Sequence, residues 1–279
     1  MRIKKHSNGN TYLLTNSGYW IRNFCSSGFA ANINNLTEPS DYALFLENES
    51  RNKKFILPTI DVENFDHPYC VIVSDGYKFE ETHKILEQLP NEISVFSVNR
   101  SLANWKANRR IDFHIINNPY DEALADFPRH RYFPPCIASS KTNHLFIENY
   151  LRMGGMVYKY APVQEQKYKH IDGEHVYLID DYRNPICAAI SLAYHFKVRK
   201  LLLLCCDESF KDSRPGAIEL KNGLYTYPQQ QVAHEIIDGH LYWLKKQEYM
   251  TIETAHCSHD SDYENAVYIK TEEIEGFFK

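Results

Sequence analysis

Along this chain, apolar residues fall into short solid runs, separated by stretches in which they recur every third or fourth position. Tyr69-Cys70-Val71-Ile72-Val73 is a run of β-formers with no polar face, as expected of a strand covered on both sides. Ser74-Asp75-Gly76 closes it, and Thr82, Ile85, Leu86 and Leu89 then recur at helical steps until Pro90. Ile93 to Val98 is the next strand, closed by Asn99. Leu102, Trp105 and the basic cluster Lys106-Ala107-Asn108-Arg109-Arg110 predict a second helix. Ile111 to Ile116 predicts a third strand, ending in Asn117-Asn118-Pro119. Strand, helix, strand, helix, strand at this spacing is the start of a doubly wound parallel sheet.

Beyond it the pattern loosens, with a strand at Cys136 to Ser139, a helix at Leu145 to Met153 broken by Gly154-Gly155, and a strand at Met156 to Tyr160. Gln164 to Glu174 reads as a surface loop. Order returns with a helix at Ile186 to Phe196, whose small and apolar residues suit close packing on a sheet. Lys197, Arg199 and Lys200 end it where the helix dipole favours cations. Leu201 to Cys206 is the most solid buried strand in the chain. A helix from about Gln229 to Gln247 and late strands at Tyr249 to Ile252 and Ala266 to Ile269 follow. The first 67 residues differ: Asn, Ser and aromatic residues dominate, and short alternating pieces at Thr11 to Thr15 and Tyr42 to Leu46 predict small strands. The expected organisation is an N-terminal β-rich extension over 1–67, a flap or a surface for a second copy. An α/β domain over 68–279 follows, an open parallel sheet with helices on both faces.

The 279 residues, 43% apolar and 24% charged, suffice for one large core. A net charge of -5 gives no general reason for nucleic-acid binding. The seven cysteines include no CxxC pair, so neither a zinc ribbon nor a redox dithiol is supported, and free thiols point to a reducing compartment. The N-terminal stretch lacks an apolar leader and no apolar run is long enough to cross a bilayer; the expectation is a soluble, cytoplasmic protein. GxGxxG, GxxxxGK[ST] and GxSxG are absent, which excludes a standard dinucleotide site, a Walker site and a hydrolase elbow.

Ligands of open parallel sheets bind outside the carboxyl ends of the strands, near the point where strand order reverses. Polar residues fall at four such ends: Ser74 to Gly76, Asn99-Arg100-Ser101, Asn117-Asn118 and Asp207 to Ser209. Gly76 precedes a helix whose first N–H groups can meet an anion. Asp75 repels a phosphate directly; it suits a magnesium ion, a ribose hydroxyl or an acceptor amine, or else it caps the helix. Asp207 adjoins the buried strand, where a carboxylate must meet donors or a cation. Glu208, of alternate orientation, reads as a loop acid. Arg100 or the Lys106–Arg110 cluster could face phosphates; otherwise the cluster is a solvated helix end. His256 and His259-Asp260 form a late polar knot with metal-like steps but no completing ligand, so one histidine is a candidate general base and the alternative is structural.

With these strand ends in hand, the chain resembles the Rossmann-related proteins grouped with archaeal 6-hydroxymethyl-dihydropterin pyrophosphokinase and with the motility accessory factors of flagellin glycosylation. The residues that carry the resemblance are Val71-Ile72-Val73-Ser74-Asp75-Gly76-Tyr77-Lys78-Phe79, Phe96 to Leu102, Ile111-Asp112-Phe113, Asn184 to Ala193, and Leu201 to Asp207. Together they span about residues 69 to 269. Asp75 and Tyr77 replace a small residue and a proline of that pattern, and Cys205 stands where glycine is common. The fold is also similar to bacterial sialyltransferases that use cytidine-monophosphate sugars. That similarity implies a nucleotide pocket lined by Ser74 to Gly76 and Asn99 to Ser101, with a late histidine as base. The resemblance implies a Rossmann-like sheet and a transferase acting on a nucleotide-bearing small molecule, with the acceptor left open. Asp207 would orient the nucleotide or acceptor. A pyrophosphokinase using ATP, with Mg2+ held by Asp75 and Asp207, is the alternative enzyme, and a non-catalytic assembly protein on the same core is the third reading.

Overall fold

A computed structural model describes residues 2–5, 11–14, 20–22, 39–58, 67–128, 132–162, 178–179, 184–207, 209–211, 213, 217–219, 223–226, 228–245, 253–257 and 263–279. Three short strands near the N-terminus, β1 (Arg2–Lys5), β2 (Thr11–Leu14) and β3 (Trp20–Arg22), pair antiparallel in chain order. Helix α1 (Pro39–Asn52) follows. The expected strand at Tyr42 to Leu46 is therefore helical. Phe45, Asn48 and Asn52 are the buried positions, at helical steps, while Leu46 of the alternating pattern faces solvent. Two asparagines on the buried side hide that periodicity from a reading of apolar positions.

The main sheet has nine strands in the order β14-β13-β10-β4-β5-β6-β7-β8-β9, every neighbouring pair parallel. These are β4 (Tyr69–Val73), β5 (Ser94–Val98), β6 (Phe113–Ile116), β7 (Cys136–Ser139), β8 (Val157–Pro162), β9 (Leu178–Ile179), β10 (Lys200–Leu204), β13 (Glu253–His256) and β14 (Val267–Tyr268). A small hairpin, β11 (Ile218–Glu219) with β12 (Tyr225–Thr226), lies outside it. The chain runs outward from β4 to β9, returns beside β4 with β10, and continues to the other edge. Strand order thus reverses between β4 and β10.

Both faces are covered, giving the open Rossmann-like α/β sheet expected from the sequence. On one side α4 (Pro185–His195) and α5 (Pro228–Lys245) pack with Ile72, Phe96, Ile115 and Leu203. On the other, α2 (Phe79–Gln88), α3 (His144–Arg152) and α6 (Ile274–Phe278) pack with Val71, Val95, Ile116 and Leu202. The α4 start is set by Asn184, whose Oδ1 accepts from the amides of Ile186 and Cys187, with Pro185 pre-set for the first turn. No helix among the described residues is long and apolar enough to cross a membrane.

Residues 102 to 110 do not form the expected α-helix. Ala103, Trp105 and Ala107 are buried at every second position, a spacing no helix offers. The basic cluster is turned to structural use: Arg109 donates to the carbonyls of Leu89, Pro90 and Ile93 at 3.2, 2.8 and 2.7 Å and to Asn91, closing the end of α2. Lys106 pairs with exposed Glu80 at 2.6 Å. Arg109→Ala is expected to lower stability by about 1–3 kcal/mol in chemical denaturation, through loss of charge-assisted bonds to three carbonyls, and to leave ligand binding at the sheet edge unchanged.

Candidate functional site

The carboxyl ends of β10 and β4 are stitched together by backbone. The amide of Ser74 donates to Leu204 O and that of Gly76 to Cys205 O, both at 3.0 Å. The Asp207 carboxylate closes the stitch, its Oδ1 accepting from the amides of Tyr77 at 3.2 Å and Ser209 at 3.3 Å. A buried carboxylate beside this strand needed donors, and it meets backbone ones. Gly76 is required by proximity, for a Cβ there would stand 2.0 Å from Asp207 Oδ1 and 2.5 Å from Cys205 O. Cys205 adopts φ 51°, in the left-handed region. It thus occupies a backbone site that glycine would fill without strain. Burial raises its thiol pKa well above the ordinary value, and Asp207 adds to the shift, so the thiol stays protonated; it donates to Tyr77 O.

On the next strand Asn99 also takes a left-handed turn, at φ 43°, which asparagine tolerates better than most residues. Ser101 spends its hydroxyl within the turn, accepting from Val98 N and donating to Val98 O. Arg100 lies 3.5 Å through Nε from the carboxylate of Asp126. Asn117 follows β6 directly. Asn99 Oδ1, Asn117 Nδ2 and Ser209 Oγ are buried without a hydrogen-bond partner in the protein. All three lie just past the carboxyl ends of β5, β6 and β10. Orphaned buried polar atoms are rare in folded proteins and call for an explanation such as a ligand.

The strands β13, β10, β4, β5 and β6 are consecutive in the sheet. Their ends carry His256, Asp207, Ser74 to Gly76, Asn99 to Ser101 and Asn117 along one rim of roughly 19 Å, taking about 4.8 Å per strand spacing. His256, buried at the end of β13, packs edge-on to Tyr263 with ring centroids 5.4 Å apart and tilted against Tyr268 at 5.5 Å. Tyr263 in turn donates its hydroxyl to Cys206 O. His259, Asp260 and Glu208 lie outside the described residues, as do Gln164 to Glu174 and Tyr249 to Ile252. Ser74 and Asp207 share the stitched turn; Asn99 and Asn117 stand on the next two strands. A cavity of about 50 Å³ opens on the α2 side of the stitch, lined by Tyr77, Lys78, Thr82, Cys205, Asp207 and Thr271 among others. Ser74 and Asn99 are not part of its lining, and its size suits a water-sized group.

Magnesium takes oxygen ligands in near-octahedral array. Asp207 commits Oδ1 to two amides, and among the described residues no three His, Cys, Asp or Glu side chains converge as a ligand set. The residues present do not fit a protein cage for the ion.

Asp126 is a rim residue that hydrophobic patterning passes over. It closes a two-turn 3-10 segment, Asp121–Asp126, in which Ala123 and Asp126 are both buried. Residues three apart eclipse in such a turn, so the Ala-x-x-Asp step was the available signal. Lys141, past the end of β7, is also buried, with its ammonium 4.7 Å from the Phe45 ring centre on α1. The same helix ties down the ends of β6 and β7 through Asn48, which donates to Pro119 O, and Asn52, which donates to Ser140 O and Thr142 O.

No protein-family model matches the chain, and no curated protein matches it. Among solved structures it is similar to the MAf glycosyltransferase from Magnetospirillum magneticum AMB-1, at 14% identity and a TM-score of 0.61, over 83% of this chain and 38% of that one. The chain thus spans little more than a third of the length of that structure. The likeness is one of fold.

Proposed function

We propose that the chain is a transferase acting on a nucleotide-activated substrate, with glycosyl transfer from a nucleotide sugar as its reaction. The observation that carries this reading is the pair Asn99 Oδ1 and Asn117 Nδ2, an acceptor and a donor buried unpartnered on adjacent strands beside the reversal of strand order. Each unmet group costs about 1–3 kcal/mol, which a ligand with complementary groups recovers. A nucleoside offers such groups on its base and ribose, and its phosphate would lie toward the turn that precedes α2. On this reading Ser74, Asp75 and Gly76 border the phosphate and Arg100 faces it, while Asn99, Ser101 and Asn117 form the nucleoside side. Asp207 keeps the two turns in register beside the acceptor. The likeness in fold to a glycosyltransferase structure lends coarse support.

Catalysis then consists of holding donor and acceptor in line and stabilising the departing phosphate. The bond from the sugar carbon to the phosphate oxygen breaks, the acceptor oxygen takes its place on that carbon, and the acceptor proton passes to an imidazole. His256 at the end of β13, or His259 a short step along the chain, is the base on this reading.

Titration calorimetry with CMP, a CMP-sugar, a UDP-sugar and ATP with magnesium tests it. A cytidine compound is expected to bind without magnesium, and Asn117→Ala to weaken that binding about tenfold. Magnesium-dependent ATP binding in its place would favour a pyrophosphokinase. If no nucleotide binds, the transferase reading is wrong and an assembly role through the N-terminal segment takes its place.

A further inference from the structure

We propose that Asp126 is a positioning residue that grips Arg100 by its Nε, so that the outer edge of the guanidinium meets the phosphate of a ligand at the strand ends. This rests on the nucleotide reading above. The side chain of Asp126 is 4% exposed and that of Arg100 49%, with Arg100 Nε 3.5 Å from Asp126 Oδ1. The anchored end of the pair is dry and the other end is wet. Asp126 Oδ2 accepts from Asn118 Nδ2 at 3.4 Å, and Asn118 Oδ1 accepts from the Tyr120 amide at 3.1 Å. The carboxylate is thereby held by residues following β5 and β6, while Asp75, following β4, adds a like charge.

This arrangement is a poor stability device. Burial pushes the Asp126 pKa up to about 6 against the pull of Arg100 and Asn118, so the partners do not repay desolvation. An apolar side chain would fill the place better. What the carboxylate supplies is direction. Asp75, Asp126 and Asp207 give the rim three carboxylates, a field that repels phosphate unless a cation is fixed to face it. Arginine suits that task because one edge of its planar fork can stay with a carboxylate while another engages phosphate.

The test compares CMP with cytidine, by calorimetry in slightly alkaline buffer, on the wild type, Asp126→Asn and Asp126→Glu. The asparagine variant is expected to bind CMP about tenfold more weakly and cytidine within about twofold of the wild type. The glutamate variant should recover part of the loss. Thermal denaturation should find Asp126→Asn at least as stable as the wild type, because a neutral isostere escapes the burial penalty; a merely structural residue would show the reverse. By NMR, the Arg100 Nε–Hε resonance should be protected in the wild type, shift as Asp126 takes up a proton, and broaden in Asp126→Asn. Equal CMP binding by wild type and Asp126→Asn overturns the proposal and leaves the nucleotide reading standing. A parallel loss for CMP and cytidine with lowered stability overturns it in favour of a structural role. A wild type that binds no nucleotide removes both.

Discussion

Gly76→Ala is expected to remove ligand binding at the strand ends and to lower stability by about 2–4 kcal/mol, the sum of an overpacking term and one or two lost hydrogen bonds. The added methyl carbon would stand 2.0 Å from Asp207 Oδ1 and 2.5 Å from Cys205 O. Neither neighbour can yield cheaply. The Asp207 oxygen is held by the Tyr77 and Ser209 amides, and the Cys205 carbonyl belongs to a residue already at φ 51° that accepts from Gly76 itself. Relief therefore means opening the stitch between β4 and β10, and with it the point where strand order reverses. Removing the carboxylate as well, in Gly76→Ala with Asp207→Ala, clears one clash and leaves the carbonyl one, so recovery should be partial. Urea denaturation and calorimetry measure the two effects. A Gly76→Ala protein within about 0.5 kcal/mol of the wild type would show that the turns are not locked together as described.

The inner strands β4, β5, β6, β7 and β10 were readable because they are buried on both faces and so appear as largely apolar runs; Tyr69–Val73 and Lys200–Leu204 are the cleanest cases. Their polar caps follow from the same pattern, which makes Ser74, Asn99, Asn117 and Asp207 legible in the sequence as residues at strand ends. Failures came where burial is polar or contacts are distant. Helix α1 presents Asn48 and Asn52 inward, so its periodicity is invisible to hydrophobicity, and their partners lie more than 70 residues away in sequence. The 102–110 segment carries good helix formers, yet Trp105 donates to Arg109 O and packs near His83 and Phe79, and those contacts override local preference. Asp126 shows in the sequence only as an Ala-x-x-Asp step; that Arg100 and Asn118 close on it is a matter of tertiary contact. That Asn99 and Asn117 leave an acceptor and a donor unmatched is knowledge only coordinates supply.

Acid should destabilise the fold earlier than carboxylate titration alone would predict, with about 4 kcal/mol lost between pH 6.5 and pH 4. His114 and His240 are fully buried, and burial lowers each to a pKa of about 3; in His240 the neighbouring His195 adds to the drop, whereas in His114 a bond to Ser97 resists it. Their folded values lie below the unfolded one, so the unfolded chain binds the extra protons. Their contribution is complete above about pH 6.5 and is lost as pH falls toward 3, at about 1.4 kcal/mol per pH unit for each. Asp126 works in the opposite sense. Its folded pKa of about 6 lies above the unfolded value, so protonation relieves a penalty as pH falls through 6. That returns about 1.4 kcal/mol per unit down to the ordinary carboxylate range, which halves the net slope there. Two substitutions separate the terms. His240→Gln should flatten the pH dependence of the unfolding free energy, measured by urea denaturation, by about 1.4 kcal/mol per unit, whatever it does to stability at neutral pH. Asp126→Asn should steepen it below pH 6 by a similar amount. A wild-type midpoint that stays level from pH 6.5 to 4, or a His240→Gln slope equal to the wild type, would mean that the buried imidazoles find proton acceptors in the folded state and are not held neutral by burial.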